Sequence, residues 1–452
     1  MNKLKTAPIL TIFIGGNHEA SGYLQELPNG GWVAPNIYYM GHANCINFAG
    51  IRIAGLSGIF NKHHYHMGHW ERPPFDEYGS AVSVYHVRAV DVFRLKQLQP
   101  RNDDKSGPID VMLSHDWPAG ITDYGNVDDL LRRKPFFKED IQKNTLGNPA
   151  TMCLVHELRP RYWLAAHLHC KFAALIAHSD STESESNKEN VTRFLSLDKP
   201  LPRRHFIQIL EFDVDEDADL NLSYDPTWLA ILKATDSFTD ASKRVSYSRS
   251  LLFLIVDSSR ICVVLHYMPS RGHSSVDEMS SDAERCDYRP TKEELDHIDR
   301  LFNGHFTIPL NFRQTAPPHS ATEPFKHTEF YYRNPQSMEF CSKLGIRDLN
   351  EILCAQSANG VGTAFYLMPN DDSKQQDNTS AIQSSCTDSE VRICCNYICR
   401  VFSLFVITDN WIADNILIVR LFKEFEDGLD FKIDRGRRSS PIRIDSDQLK
   451  SE

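Results

Sequence analysis

Three short apolar runs, each typical of a buried β-strand, are followed directly by asparagine or histidine. The runs cover residues 9–14, 110–114 and 162–166. The polar residues that follow them are Asn17, His18, His115, His167 and His169. Strands aim the side chains at their ends, and the loops there free those side chains from packing. The pattern therefore predicts an α/β fold in which these five residues meet at one edge.

The His-Leu-His pair at 167–169 is the most specific of these signals. In a regular strand, residues i and i+2 share a face, so both imidazoles are predicted to point at one centre. Imidazole is a good ligand for zinc, iron and manganese-like ions. Taken singly, each motif also has an ordinary explanation, as a turn, a strand cap or a core histidine. Their occurrence after three strands, in this order, favours a metal site.

The ordered motifs resemble the signature of calcineurin-like metallophosphoesterases: Gly-Asn-His-Glu at 16–19, a strand ending in His, and a strand ending in His-x-His. Within that superfamily the chain resembles the lariat debranching enzymes. The segments that carry this likeness are SGIF (57–60), YHVR (85–88), SHDWP (114–118), NTLG (144–147), AHLHCK (166–171), FAA (172–174) and LDKPLPRR (197–204). The likeness is dense over about residues 11–235 and patchy at 289–312 and 334–349.

The resemblance implies a metallophosphoesterase β-sandwich flanked by helices, with a smaller C-terminal region. It implies an enzyme that hydrolyses the 2′-5′ phosphodiester bond at the branch point of excised intron lariat RNA. Three residues match ligands of one metal ion: Asn17, His115 and His167. His169 matches a ligand of a second ion, and His18 matches the residue that protonates the leaving oxygen or orients the phosphate. The implied cofactors are divalent ions, Fe²⁺, Zn²⁺ or Mn²⁺.

Residues 61–80 match the position of the family's lariat recognition loop, and we predict that this loop contacts RNA. The residues predicted to make these contacts are Lys62, His63, His64, His66, Trp70 and Arg72, and the same loop offers His69 as a further donor. The basic runs 132–134 and 203–204 are candidate contacts to the phosphate backbone. For any single one of these residues, an ordinary exposed position is the competing interpretation. We predict no sequence specificity for RNA or DNA.

Two motifs of the family do not occur before His18: a Cys-x-His or Asp-x-His pair, and a Gly-Asp whose carboxylate bridges two metals. The first aspartate is Asp76 and the first cysteine is Cys45. The family has a two-metal site, but His169 alone cannot hold the second ion. We therefore expect this chain to bind metal poorly and to debranch little or not at all, since lost ligands and supporting residues cost metal affinity. A missing upstream exon and a real inactive isoform both explain the departure. The alternative functions are an inactive RNA-binding or splicing-associated protein and a metallophosphoesterase acting on another phosphoester.

The predicted organisation is a catalytic domain at 1–212, a C-terminal domain of the family at 213–368 and a polar linker with an unmatched tail at 369–452. Residues 248–284 look like an insertion, and both this segment and 391–425 resemble translated intron or an insertion that packs. Residues 178–192 are predicted to form a mobile loop.

Local patterns predict a hairpin at 45–56 around Gly50. They also predict helices at 83–99, 151–158 and 291–302, the last with Thr291 as its N-cap.

The net charge bears on whether the chain can bind RNA, and the number of cysteines bears on the cellular compartment in which it occurs. The net charge is −11, but residues 1–211 carry 23 basic and 22 acidic side chains, or +1, so a basic RNA groove remains possible there. The eleven cysteines are predicted to be reduced thiols, and the apolar runs are too short to cross a membrane. The nucleus is expected from the resemblance alone. The oligomeric state is not predicted.

Overall fold

The structure is a computed structural model. It describes residues 7–73, 75, 79–99, 107–178, 190–215, 217–243, 285, 287–315, 333–358, 401–407 and 416–422. The segment predicted to be an insertion, the predicted linker at 369–390, and almost all of the predicted loop at 178–192 lie outside these residues. The predicted domain limits stay predictions.

Two β-sheets form the centre of the described chain. The first contains the strands β1 (Thr11–Phe13), β2 (Gly31–Ala34), β3 (Ile37–Tyr39), β10 (Ile207–Asp213), β12 (Val401–Ile407) and β13 (Ile416–Phe422), in the order β10-β13-β12-β1-β3-β2. β12 runs parallel to β1, and β13 runs parallel to β10. β12 and β13 come from residues 391–425, which contain no motif of the family, and both lie inside this sheet rather than at its edges.

The second sheet contains β4 (Ala43–Phe48), β5 (Ile51–Leu56), β6 (Val111–Ser114), β7 (Tyr162–Ala165), β8 (Phe172–Ala177), β9 (Val191–Ser196) and β11 (Ser223–Tyr224), in the order β11-β4-β5-β6-β7-β9-β8. β5, β6, β7 and β9 are mutually parallel, so the ends of β6 and β7 lie at one edge. β4 and β5 form the antiparallel hairpin predicted around Gly50. Gly50 has φ +80°, which suits glycine in so tight a turn.

The strands of the second sheet alternate between two apolar cores, as expected of a layer buried on both faces. Ile53, Val111 and Leu113 face a core shared with Ile12 of the first sheet. The intervening Met112 faces a second core on the opposite side of the sheet. The molecule is therefore a two-sheet sandwich with helices outside the second sheet, which confirms the predicted fold class.

The helices are α1 (Ser21–Leu24), α2 (Ser80–Ser83), α3 (Ala89–Lys96), α4 (Val127–Arg133), α5 (Lys138–Gln142), α6 (Thr151–Leu158), α7 (Pro226–Ala234), α8 (Lys292–Phe302), α9 (Pro335–Leu344) and α10 (Leu349–Ala358). α6 has the predicted bounds. α8 begins after Thr291, which is the predicted N-cap. The structure adds a capping box, in which the backbone N–H of Glu294 donates to the Thr291 hydroxyl and the backbone N–H of Thr291 donates to the Glu294 carboxylate.

The helix predicted from the apolar spacing of residues 83–99 is shorter in the structure. α3 begins only at Ala89, because Arg88 is extended (φ −110°, ψ 149°). The Arg88 guanidinium is wholly buried against the Glu71 carboxylate, a contact that apolar spacing does not reveal. No helix in the described part of the chain is long and apolar enough to cross a bilayer. The five described cysteines are free thiols.

Candidate metal centre

Three strand ends bring their polar residues together where the two sheets meet. β1 leads into Asn17, β6 into His115, and β7 into His167. The Nε2 atom of His115 lies 2.9 Å from Oδ1 of Asn17 and 3.1 Å from Nδ1 of His167. Three donors of the kinds that bind zinc, iron or manganese thus lie at one point, and this donor set fits a divalent ion.

His18 and His169 border this group. Nε2 of His18 lies 3.5 Å from Nδ2 of Asn17, and the His18 side chain is exposed. Burial, followed in order of size by the positive charges of His169 and His18, lowers the pKa of His167 to about 4. His167 is therefore a neutral imidazole at physiological pH, which is the form that binds metals. Of the five sequence-predicted residues, His115 thus contacts Asn17 and His167, His18 borders Asn17, and His169 lies close enough to His167 for its charge to act there.

His167 and His169 do not lie on a strand, so strand alternation is not what directs their rings to the site. β7 ends at Ala165, and both His167 and His169 adopt left-handed backbone conformations, with φ +56° and +51°. Such values are uncommon for residues other than glycine and cluster at functional sites. The two rings are thus presented by a bend after the strand, and the predicted shared strand face is wrong.

Asp116 is a member of the site that sequence reasoning missed. Its Oδ1 lies 3.6 Å from Nε2 of His167, while its Oδ2 accepts a 2.7 Å hydrogen bond from the backbone N–H of Phe60. Burial raises the pKa of this carboxyl to about 7. A carboxylate behind a ligating histidine fixes the ring and raises its basicity. The signal was present in the sequence, since Asp116 directly follows His115.

The turn that carries Asn17 is held from both sides by hydrogen bonds. The N–H of Gly16 donates to Oε2 of Glu19, and the N–H of Gly15 donates to Oγ of Ser57. The N–H of Gly58 donates to the carbonyl of Gly15 at 2.7 Å. Gly58 has φ +92°, and a Cβ there would meet the Tyr85 carbonyl oxygen at 1.9 Å, so only glycine fits. The SGIF and YHVR segments therefore position the Asn17 turn.

The residues predicted to contact RNA divide into two groups. Four are exposed: Lys62, His63, His66 and Arg72. His64 and Trp70 are only half-buried, and each has a partner within the protein. Nδ1 of His64 lies 2.7 Å from Nδ1 of His86, and Nζ of Lys243 lies 3.8 Å from the centre of the Trp70 ring.

His69, named above as a further donor in this loop, is buried. Its Nε2 lies 2.9 Å from Oδ2 of Asp91, so the ring faces inward. The loop itself is tied down by Glu71, whose carboxylate accepts hydrogen bonds from Arg88 and from the Ser83 hydroxyl. Neither Glu71 nor Arg88 was predicted to matter for the loop.

Comparison with known proteins assigns the family. Residues 189–349 match the family described as "Lariat debranching enzyme, C-terminal domain". The chain is 52% identical over 377 residues to the lariat debranching enzyme of Caenorhabditis elegans, covering 82% of this chain and 69% of that protein. It is 43% identical over 347 residues to the human enzyme of the same name, covering 76% of this chain and 57% of that protein. For the Gallus gallus enzyme the identity is 42% over 348 residues, with 77% and 58% covered. The chain thus spans between about half and two thirds of the length of these relatives, and it belongs to the lariat debranching enzyme family.

Proposed function

We propose that this chain hydrolyses the 2′-5′ phosphodiester bond at the branch point of excised intron lariat RNA. The observation that carries the proposal is the meeting of Asn17, His115 and His167, with His115 Nε2 within 3.1 Å of both partners. The names of the relatives supply the substrate. We assign the activity to the nucleus, because introns are excised there.

Asn17, His115 and His167 would hold one divalent ion, and His169 would border that ion, because a single imidazole cannot hold a second one. Bound there, such an ion activates a water molecule and polarises the phosphoryl oxygen. The imidazole-rich donors favour Zn²⁺, Fe²⁺ or Mn²⁺ over Mg²⁺. Asp116 would keep the His167 ring in its ligating orientation.

His18 would donate the proton that the leaving oxygen needs. It is exposed and adjoins Asn17, so it can contact a bound phosphate directly. Attack of a water oxygen on phosphorus breaks the bond to the 2′ oxygen, and the His18 imidazolium donates a proton to that oxygen. The products are a 2′-hydroxyl and a 5′-phosphate.

Positive side chains along the loop and beside the site would hold the RNA. Lys62 and Arg72 are exposed on the loop. Arg204 lies next to the site, where its Nη2 donates to the carbonyl oxygen of His169 at 3.3 Å and to Oδ1 of Asp198 at 2.7 Å. Such contacts neutralise phosphates without reading the bases. The proposed partner is therefore branched RNA recognised through its backbone and shape.

The neutral ligands of the site predict weak metal binding and therefore slow hydrolysis by this chain. The ligands named above are all neutral, and Asp116 reaches the site only through His167. Neutral ligands leave the charge of the ion uncompensated, so metal binding should be weak. This same observation supports the second candidate function, an inactive RNA-binding protein related to splicing.

Cleavage of a short branched RNA separates the candidates. The chain is incubated with Mn²⁺ and either the branched RNA, a linear 3′-5′ RNA or an aryl phosphate. We expect cleavage only at the 2′-5′ bond, and its loss in His167→Ala but not in His156→Ala, which removes an exposed histidine elsewhere. Cleavage of the aryl phosphate alone would favour another phosphoesterase. RNA binding without cleavage at any metal concentration would favour the inactive protein.

A further inference from the structure

A second group of metal-binding side chains lies behind the Asn17 turn. His42, His69 and Asp91 each offer one ligand atom, and these atoms lie within 4.8 Å of one another. The His69 and Asp91 atoms are 2.9 Å apart, and the rings of His42 and His69 stack with their centres 3.8 Å apart. We call these three residues the buried trio.

The backbone of the trio is fixed by hydrogen bonds that do not involve its side chains. His42 donates its N–H to the carbonyl of Pro28 and accepts a hydrogen bond from the N–H of Ser57, each at 2.9 Å. His69 donates its N–H to the carbonyl of Asp240 at 2.9 Å. Asp91 lies in the first turn of α3, where the helix dipole favours a carboxylate. The three side chains are therefore held near one another before anything binds.

Two small cavities adjoin the trio, and all three residues line both of them. Each has a volume of about 30 Å³. One extends towards Gly15 and Gly16, and the other towards Asn29 and Arg94. A cavity needs roughly 10–15 Å³ of this kind of volume to hold one water molecule. Each cavity therefore has room for a small ion and a bound water.

We propose that the buried trio binds one zinc ion, separate from the centre formed by Asn17, His115 and His167. Two imidazoles and one carboxylate are a donor set that zinc takes in tetrahedral sites, with a water as the fourth ligand. Ligand atoms at about 2.0–2.1 Å from zinc lie roughly 3.3 Å apart in that geometry. The trio would reach this spacing by side-chain rotations that open the 2.9 Å contact between His69 and Asp91 and close the wider separations, which extend up to 4.8 Å.

Zinc at the trio would join three segments that are distant in sequence. His42 lies between β3 and β4, His69 belongs to the loop at 61–79, and Asp91 belongs to α3. A metal that binds only the folded arrangement stabilises it. The proposal therefore assigns the ion a structural role, anchoring the inner end of the loop. It does not depend on the debranching activity.

Two arginines set the strength of this site. The positive charges of Arg88 and Arg94 both act on His42, and they oppose a divalent cation. Glu71 offsets Arg88 through a fully buried ion pair. Arg94 donates to Thr235 and Thr239, and its positive charge also lowers the pKa of Asp91. We expect weaker zinc binding than in a site closed by four protein ligands, and tighter binding in Arg94→Gln.

The test measures zinc by elemental analysis in a chain whose first centre has been removed by His115→Ala and His167→Ala. After equilibration with Zn²⁺ and brief dialysis, we expect about one zinc per chain. The ion should be lost when His42→Gln or Asp91→Asn is added. The matched control is His178→Gln, which removes a buried histidine that lines neither cavity and whose Nε2 lies 2.8 Å from Oγ1 of Thr192. Zinc should also raise the melting temperature of the background protein, but not that of the His42→Gln protein.

X-ray absorption at the zinc edge identifies the atoms that bind the ion and needs no trio variant, so it tests the proposal even if those variants do not fold. On the background protein alone it should show two imidazole nitrogens and oxygen ligands. Sulfur at about 2.3 Å would instead place the ion on cysteine. That result, or zinc that persists in both trio variants, or no bound zinc at all, overturns the proposal.

Discussion

Nδ1 of His167 lies 3.1 Å from Nε2 of His115, although 52 positions separate the two residues in the chain. Adjacent parallel strands, β6 and β7, carry them to the same edge of the sheet. Asn17 arrives from the other sheet and completes the group. The site thus depends on the packing of two sheets, and its ligands share no local segment.

Asp116 should contribute to metal affinity without touching the ion. Replacing Asp116 by Asn removes the charge behind His167, and losses of this kind cost about 10- to 100-fold in metal affinity. Competition titration with a zinc indicator measures the change. The control is Asp123→Asn, at an exposed aspartate in the short helix after the site. Equal zinc affinity in the Asp116→Asn and unsubstituted proteins would remove Asp116 from the site.

The ion pair between Arg88 and Glu71 should be costly to break. Both side chains are almost fully buried. Glu71→Gln leaves the guanidinium without its charge partner, which for buried pairs costs roughly 3–5 kcal/mol of unfolding free energy. Urea denaturation measures it. Glu139→Gln breaks an exposed pair with Lys143 and should change the free energy little. Similar effects of the two substitutions would contradict the role given to Arg88.

Glu26 should make stability fall as pH rises. Its carboxyl is buried where the first sheet meets the C-terminal helices, and it accepts hydrogen bonds from Thr315 and Asn334. Burial raises its pKa from 4.5 to about 7. Between these values the native state holds a proton that the unfolded chain has released. The stabilisation is therefore full below about pH 4.5 and is lost as pH rises through about 7.

The size of this effect follows from the shift, and is on the order of 3 kcal/mol. Glu26→Gln mimics the protonated carboxyl and should remove the pH dependence that Glu26 gives to the free energy of unfolding. The increase in that free energy over the unsubstituted protein should therefore be largest at pH 8. Urea denaturation at pH 5 and pH 8 measures both proteins. An equal difference between the two proteins at both pH values would show that Glu26 titrates normally.

Arg72 should contribute to RNA affinity through charge. It is exposed on the loop. Losing one phosphate contact to a single strand lowers the slope of log affinity against log salt by about 0.7. Fluorescence anisotropy with a branched RNA over a salt series measures that slope for Arg72→Ala. His156→Ala, which removes an exposed histidine outside the loop, should leave the slope unchanged. An unaltered slope in Arg72→Ala would exclude a phosphate contact.

Local patterns predicted much of the fold. The apolar spacing of residues 151–158 and 291–302 and the N-cap Thr291 are local features, and both helices form where the sequence predicts them. The hairpin around Gly50 depends on a turn that glycine dictates. The places of β12 and β13 depend instead on pairing with strands hundreds of residues away, which no local pattern encodes.

The candidate site was predicted in its members but not in its geometry. Motif order identified Asn17, His115 and His167, because strand ends meet at an edge. The left-handed bends at His167 and His169 and the support from Asp116 arise from tertiary packing, so the sequence did not reveal them. The buried trio comes from the connection between β3 and β4, a loop and a helix. Its members therefore have no regular spacing in the sequence that could have predicted the site.

The most direct test of the account is anomalous diffraction at the zinc edge from crystals of this chain soaked in Zn²⁺. We predict a peak at about 2.0–2.1 Å from Nε2 of His115, with a ring nitrogen of His167 and Oδ1 of Asn17 in the same coordination sphere. The same peak should be absent from crystals of His115→Ala. Zinc that avoids all three residues at saturating concentration would contradict the account.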